Sequence, residues 1–366
     1  ANHRDLREIS RRQRQMCKID MLQTALVLGI FSSASVYVTG SRADLWVGYP
    51  GTQSVNLGRP IDAGVEMRIR MDPDVLRVEP YRWVDADWRG TQDTGGVSVF
   101  VSGIDADPQG LMFARLLPGS LRARLNEPGA VIVDRADLDS LGLDPGNAAT
   151  INGHRVHVVG VISGLRALGG VNVIASLATA RQLDTSADTD RITYWVAKVR
   201  DSSQADAVAA RIDGSPAFGK YAVWTAAQFS YRSQMHWMFD TGAGAGVLFL
   251  AVIVFLVGAV ITSQTLVAAV IGSIREYATL NALGVGVTSL RKVVMEQAFW
   301  VGALGLLGST GLTGLFFALA HYYNVPMTLS PVAALACLLL NMTLALVSGL
   351  AAMHSLRHAD PASLLR

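Results

Sequence analysis

Cysteine is almost missing from this chain of 366 residues: only Cys17 and Cys337 occur, neither in the long middle section, so no disulfide can hold that section together. Charge is scarce too. Asp, Glu, Lys and Arg make up 16% of the residues against 51% hydrophobic ones, which excludes an ordinary soluble protein and indicates a membrane protein. The 31 Lys and Arg nearly balance the 29 Asp and Glu, for a formal charge of +2. A globally basic nucleic-acid binder and an acidic disordered tail are therefore both excluded. No Gly-x-x-x-x-Gly-Lys-Ser/Thr is present, and Gly305–Thr310 lacks the lysine that would reach phosphates, so the chain should bind no nucleotide or other cofactor itself. No nucleophile, base and orienting group recur at usable spacing, which argues against an enzyme.

Three stretches contain no charge at all: Met21–Ser41, Thr241–Ile274 and Gln297–Leu356. A bilayer core takes about 20 apolar residues per helix, so the last stretch must hold two spans. His321–Pro331, turn-prone and marked by aromatics, divides them. Four transmembrane helices are predicted, at 21–41, 239–273, 293–320 and 331–353, with a short external loop at 321–330. As one helix, the stretch from Thr241 to Ile274 would be about 50 Å long, more than the hydrocarbon core, so it should project as a stalk. Its continuation through Phe229–Asp240 would make a stiff lever.

Basic residues set the orientation. Arg4, Arg7, Arg11, Arg12, Arg14 and Lys18 precede the first span, Arg275, Arg291 and Lys292 follow the second, and Arg357 and Arg366 lie in the tail 354–366. Both termini are then cytoplasmic, in an inner membrane. Residues 1–20 read as an amphipathic helix at the lipid surface, and no small-residue cleavage site marks the first span as a signal peptide. Gly302, Gly305, Gly308, Gly311 and Gly314 let the third span approach a neighbour closely, and Glu296 at its inner end should meet a basic group.

Between the first two spans, residues 42–238 form a large extracytoplasmic domain of mixed α and β character. Val97–Val101, Ala130–Val133 and Arg191–Val199 read as strands, Asp134–Leu143 as a short helix, and Ser202 as the cap of an alanine-rich helix through Ile212. Asn152-Gly153 between two alternating segments is a strong hairpin signal. His154 and His157 fall on opposite faces of a strand and make poor co-ligands for a metal. Asp105 and Asp107 share a face; a cation site and a polar loop are both readings of them.

After the second span, Ser273–Gly284 (SIREYATLNALG) gives a short amphipathic helix with Tyr277, Ala278, Leu280 and Leu283 at helical spacing, Arg275 and Glu276 at its start and Gly284 as its stop. It either lies at the headgroups or docks into another protein. Its wording resembles the segment at this place in the FtsX/MacB-like permease family of ABC transporters, with their type VII fold. Ala43–Val47, Gly51–Gln53, Gly58–Ile61, Thr241–Gly244 and the closing Asp360-Pro-Ala resemble the same family, in its DevC-like branch, in the right order along the chain.

The resemblance implies a permease subunit without its own ATPase. Two copies would work over a dimer of ABC ATPase subunits holding ATP and Mg, relaying hydrolysis to the external domain by mechanotransmission. It assigns Arg275, Glu276, Tyr277, Ala278, Leu280, Leu283 and Gly284 to ATPase docking, with Asp360, Pro361 and Arg366 shaping the adjacent tail. Ser35 and Tyr37 of the first span and Met235, His236, Trp237 and Met238 beside the second would line a cleft open to the outer leaflet. The leading expectation is export or extrusion of an amphiphile, with membrane lipid and a periplasmic adaptor as further partners. The alternatives are an FtsX-type signalling subunit activating a cell-wall hydrolase, lipoprotein extraction, and a haem or porphyrin exporter. Met and His can ligate haem iron, but the first span lacks the membrane carboxylate that haem-exporting relatives use.

Overall fold

The computed structural model describes residues 29–90, 95–142, 148–168, 170–185, 192–213 and 220–242, with scattered positions from 244 to 343. Ile30–Gly244 forms one compact unit, and residues from Ala245 onward fall mainly in a second. Among the described residues no single helix is long and apolar enough to cross a membrane. The predicted spans are described only in part, the first from residue 29 onward.

In chain order the first unit contains α1 (Val36–Thr39), β1 (Leu45–Gly48), α2 (Val65–Arg70), β2 (Val75–Arg89), β3 (Val97–Ile104), α3 (Gly119–Ala123), β4 (Ala130–Asp134) and α4 (Leu138–Leu141). It continues with β5 (Ala148–Ile151), β6 (His154–Ile162), β7 (Val171–Ser176), α5 (Leu177–Leu183), β8 (Tyr194–Val199), α6 (Ala205–Ile212), β9 (Ala222–Thr225) and α7 (Ala226–Met235). This is the mixed α and β domain expected from the sequence.

Strand β2, 15 residues long, belongs to two sheets. Its first half runs antiparallel to β8, Tyr81 opposite Tyr194, and the ladder continues through β1 to β9. Its second half runs antiparallel to β3, from Arg82 opposite Gly103 to Trp88 opposite Val97, and its end reaches β5. From there the ladder passes β3-β7-β4-β6-β5 and returns to β2, closing a ring of six strands. Closure leaves no free backbone edge in that part of the fold.

The period of two places the core. In β2, Val84, Ala86 and Trp88 are buried while Asp85, Asp87 and Arg89 are exposed. One face of the ring strands supplies Val99, Val131, Val133 and Val173 to a cluster around Trp88, and the other supplies Ile132 and Ile174 to a cluster rich in aromatic rings. Pro80 lies in the half of β2 with a single ladder partner, where a missing N–H is tolerated.

The Asn152-Gly153 hairpin forms as expected, both residues at positive φ (48° and 81°), the two-residue turn that matches strand twist. Asn152 is also used at long range: its Oδ1 accepts from Asp87 N at 2.9 Å and its Nδ2 donates to Leu183 O at 2.8 Å. The helix expected at Asp134–Leu143 is a 3-10 turn, Arg135–Asp137, running into α4 and stopped by Gly142 at φ 57°. The cap assigned to Ser202 belongs instead to Asp201, whose carboxylate accepts from Ser203 N at 2.9 Å. The Ser202 hydroxyl is taken elsewhere, donating to Asp44 Oδ1 at 2.9 Å and accepting from Lys198 Nζ at 3.2 Å.

Candidate functional site

The region where the chain enters and leaves the first unit carries the most specific construction. Residues Phe31, Ala34, Ser35, Tyr37 and Val38, read from sequence as part of a lipid span, are buried, Tyr37 and Val38 in the core of this unit. Thr225 starts the outgoing helix α7 with a reciprocal capping box: its side chain accepts from Gln228 N, and Gln228 reaches back to Thr225 N. Helix α1 of the incoming segment packs on α7, and Gln234 Nε2 donates to Ser35 Oγ at 2.9 Å.

Aromatic rings extend this tie into the core. Tyr37, only 2% exposed, meets Phe113 edge-on at 6.1 Å and Tyr81 at 6.5 Å. Tyr81 stacks on Tyr194 at 6.0 Å, and Trp46 stands edge-on to both. From α7, Phe229 enters the same cluster, 5.5 Å from Trp46 and stacked on Trp224 at 5.0 Å. Pairs of this kind contribute about 0.5–1.5 kcal/mol each beyond area burial. Incoming segment and outgoing helix are thus anchored in one aromatic core. Trp46, Tyr81, Phe113, Phe229 and Gln234 carried no sequence signal for this, since their partners are remote in the chain.

The expected cleft residues separate into two groups. Ser35 and Tyr37 face the protein interior, whereas Met235, His236, Trp237 and Met238 are half-buried at the end of α7. There the helix widens into one π turn, His236–Asp240. His236 Nδ1 lies 3.0 Å from Asp240 Oδ2, and Trp237 Nε1 donates to Ser54 Oγ at 3.1 Å. Among the described residues no group of His, Cys, Asp and Glu could hold a metal. The helix then stops: Thr241 is extended (φ −91°, ψ 135°) and its hydroxyl donates to Trp237 O at 2.6 Å. An unbroken lever from Phe229 into the second span is therefore corrected to a helix interrupted at Thr241, where an extended backbone cannot continue the i to i−4 ladder.

A polar network stands beside the incoming segment. Glu79, 1% exposed, accepts from Leu111 N at 2.7 Å and pairs with Arg77. Burial pushes the Glu79 carboxyl up, against the opposing Leu111 N–H and Arg77. Arg77 Nη2 lies 2.7 Å from Asp107 Oδ2 and 3.7 Å from Asp105 Oδ2. The place a cation would take between those aspartates is filled by a guanidinium. His154 is exposed and His157 Nε2 lies 3.3 Å from Glu127 Oε2, so the two histidines share no ligand set. Arg275, Glu276, Tyr277, Ala278, Leu280, Leu283, Gly284, Asp360, Pro361 and Arg366 lie outside the described residues.

Two family models match the chain, the MacB-like periplasmic core domain over residues 21–215 and the FtsX-like permease C-terminal over residues 248–361. No curated protein matches it. Similar solved structures include the periplasmic region of MacB from Actinobacillus actinomycetemcomitans, with 12% identity and TM-score 0.37 over 53% of this chain and 94% of that one. The extracellular domain of the noncanonic ABC-type transporter YknZ from Gram-positive bacteria shows 14% identity and TM-score 0.35, over 50% of this chain and 100% of that one. A domain of a putative permease protein from Porphyromonas gingivalis shows 12% identity and TM-score 0.32, over 50% and 88%. With one model covering the external unit and the other the apolar C-terminal part, the chain belongs to the FtsX/MacB-like permease family of ABC transporters.

Proposed function

We propose that this chain is the permease subunit of a machine in which a partner ATPase dimer, holding ATP and Mg, moves the external unit by mechanotransmission. The observation that carries the reading is the fastening of the incoming segment and the outgoing helix to one core, through Ser35–Gln234 and through Tyr37 and Phe229. A displacement of either chain end then reaches the whole unit, and a contact that differs between two conformations is what an energy source needs to shift them. The break at Thr241 gives the relay a place to bend.

In this reading four helices span the inner membrane with both termini cytoplasmic, and two copies of the chain sit over the ATPases. Ser273–Gly284 docks into the ATPase through Arg275, Glu276, Tyr277, Leu280 and Leu283, with Asp360, Pro361 and Arg366 beside it. The described positions of the C-terminal unit leave Phe249, Leu250, Leu256 and Val257 exposed, apolar surface suited to lipid. The cargo is an amphiphile, met at the half-buried Met235, Trp237 and Met238 and passed to a periplasmic adaptor, as the DevC-like wording suggests.

The test is the complex purified from its native membrane and reconstituted with its ATPase. Exchanging the charges (Arg275→Glu with Glu276→Arg) should abolish stimulated ATP hydrolysis while assembly of the permease is retained. Unchanged stimulation removes the docking assignment, and co-purification of a cell-wall hydrolase in place of an adaptor removes export.

A further inference from the structure

We propose that the external unit holds a binding pocket for an anionic amphiphile, between the loop 108–119 and the incoming segment at Arg42. A cavity of about 600 Å³ opens there, within the range of small-molecule sites. Its wall carries two cations, Arg42 and Lys198, and the apolar residues Leu111, Ala114, Leu117 and Pro118; among the described residues no carboxylate lines it.

The two cations are not equivalent. Lys198 Nζ is engaged, 3.0 Å from Asp44 Oδ1 and 3.2 Å from Ser202 Oγ. Arg42 is exposed, and among the described residues only its backbone N–H is used, donating to Leu111 O at 3.0 Å. The cavity thus presents one uncommitted guanidinium, a group that takes phosphate or carboxylate through two parallel hydrogen bonds. A volume of this size beside one uncommitted cation leaves room for an apolar tail against Ala114 and Pro118, with Leu111 and Leu117 buried behind them.

The walls are set before any ligand arrives. Leu111 is gripped from both sides, its N–H by Glu79 and its carbonyl by Arg42 N and by Ser41 Oγ at 3.1 Å. Arg122, 1% exposed, donates to Asp105 O at 3.1 Å and to Met112 O, and Pro118 O accepts from Leu121 N and Arg122 N. A pre-ordered loop avoids the entropy of closing on its ligand. The pocket belongs wholly to the external unit and stands whether or not the chain relays ATP hydrolysis.

The test uses the full-length chain in neutral detergent and a dodecyl phosphate carrying a photoactivatable group at its chain end, with the corresponding dodecyl maltoside as neutral probe. Labelling by the phosphate should map to the loop 108–119, fall about tenfold in Arg42→Gln and persist in Arg42→Lys. Ala114→Trp, which fills the cavity without altering charge, should block it equally. Equal labelling by the maltoside, unchanged labelling in Arg42→Gln, or displacement by inorganic phosphate at the concentration of the probe would each overturn the proposal, the last by showing a site for small anions alone.

Discussion

Gln234 Nε2 donates to Ser35 Oγ at 2.9 Å, joining residues 199 positions apart at the two ends of the external unit. The Ser35 hydroxyl also donates to Ser32 O at 2.9 Å, so it is both donor and acceptor at a site 0% exposed. Removing it leaves the Gln234 amide short of an acceptor. Ser35→Ala should cost about 1 kcal/mol, and the double change with Gln234→Leu should be non-additive, measured as a mutant cycle on thermal unfolding of the full chain. Strict additivity would mean that the bond does not hold the two segments together.

Phe229 is the outgoing helix's deepest anchor, 0% exposed and in contact with three other rings. Phe229→Ala should cost about 3–5 kcal/mol and raise hydrogen exchange in the incoming segment around Tyr37 as well as in α7. Exchange confined to α7 would show that the aromatic cluster does not couple them.

Asp72 and Asp137 are both buried but titrate in opposite directions. Arg211 grips Asp72 with Nε on Oδ2 and Nη2 on Oδ1, each at 2.9 Å, and holds its carboxyl below the usual range. The folded chain binds fewer protons there than the unfolded one, so that stabilisation is present above the ordinary carboxylate pKa and is lost as pH falls through the folded value. Burial pushes Asp137 up, with Arg166 opposing and Asp134 adding to it. Its contribution is present below the ordinary value and lost as pH rises through the raised one. From about pH 6 to about pH 3, the Tm of the native chain minus that of Asp72→Asn should shrink, while the native chain minus Asp137→Asn should grow. Parallel slopes would contradict this assignment.

Asn152 combines a turn conformation with two long-range hydrogen bonds. Asn152→Ala removes both bonds and replaces Asn, which tolerates the left-handed region, by a residue that does not, so a loss of about 2–3 kcal/mol in denaturant unfolding is expected. Asn152→Gly keeps the backbone conformation at no steric cost and should lose less.

That hairpin was legible because its signal is local: two residues decide the turn and the flanking alternation decides the strands. Strand β2 was not. Arg77, Glu79 and Arg82 break its apolar pattern, yet Glu79 and Arg82 are buried because partners far along the chain receive them, Leu111 N for Glu79 and Asp184 at 2.8 Å for Arg82. Tyr37 shows a different limit. A charge-free run looks the same to a hydropathy count whether lipid or protein surrounds it, and here Tyr37 near the end of the run packs against rings from β2 and the loop after β3. The cavity at Arg42 left no trace in the sequence, since its two cations are separated by most of the domain.

Because β2 serves both sheets without a break, the ring and the open sheet share one backbone, and its ladder partner changes between Tyr81 and Arg82. Tilting one half against the other concentrates shear at that single peptide unit. In the proposed relay, a glycine there would soften the joint between the two sheets and weaken transmission across it.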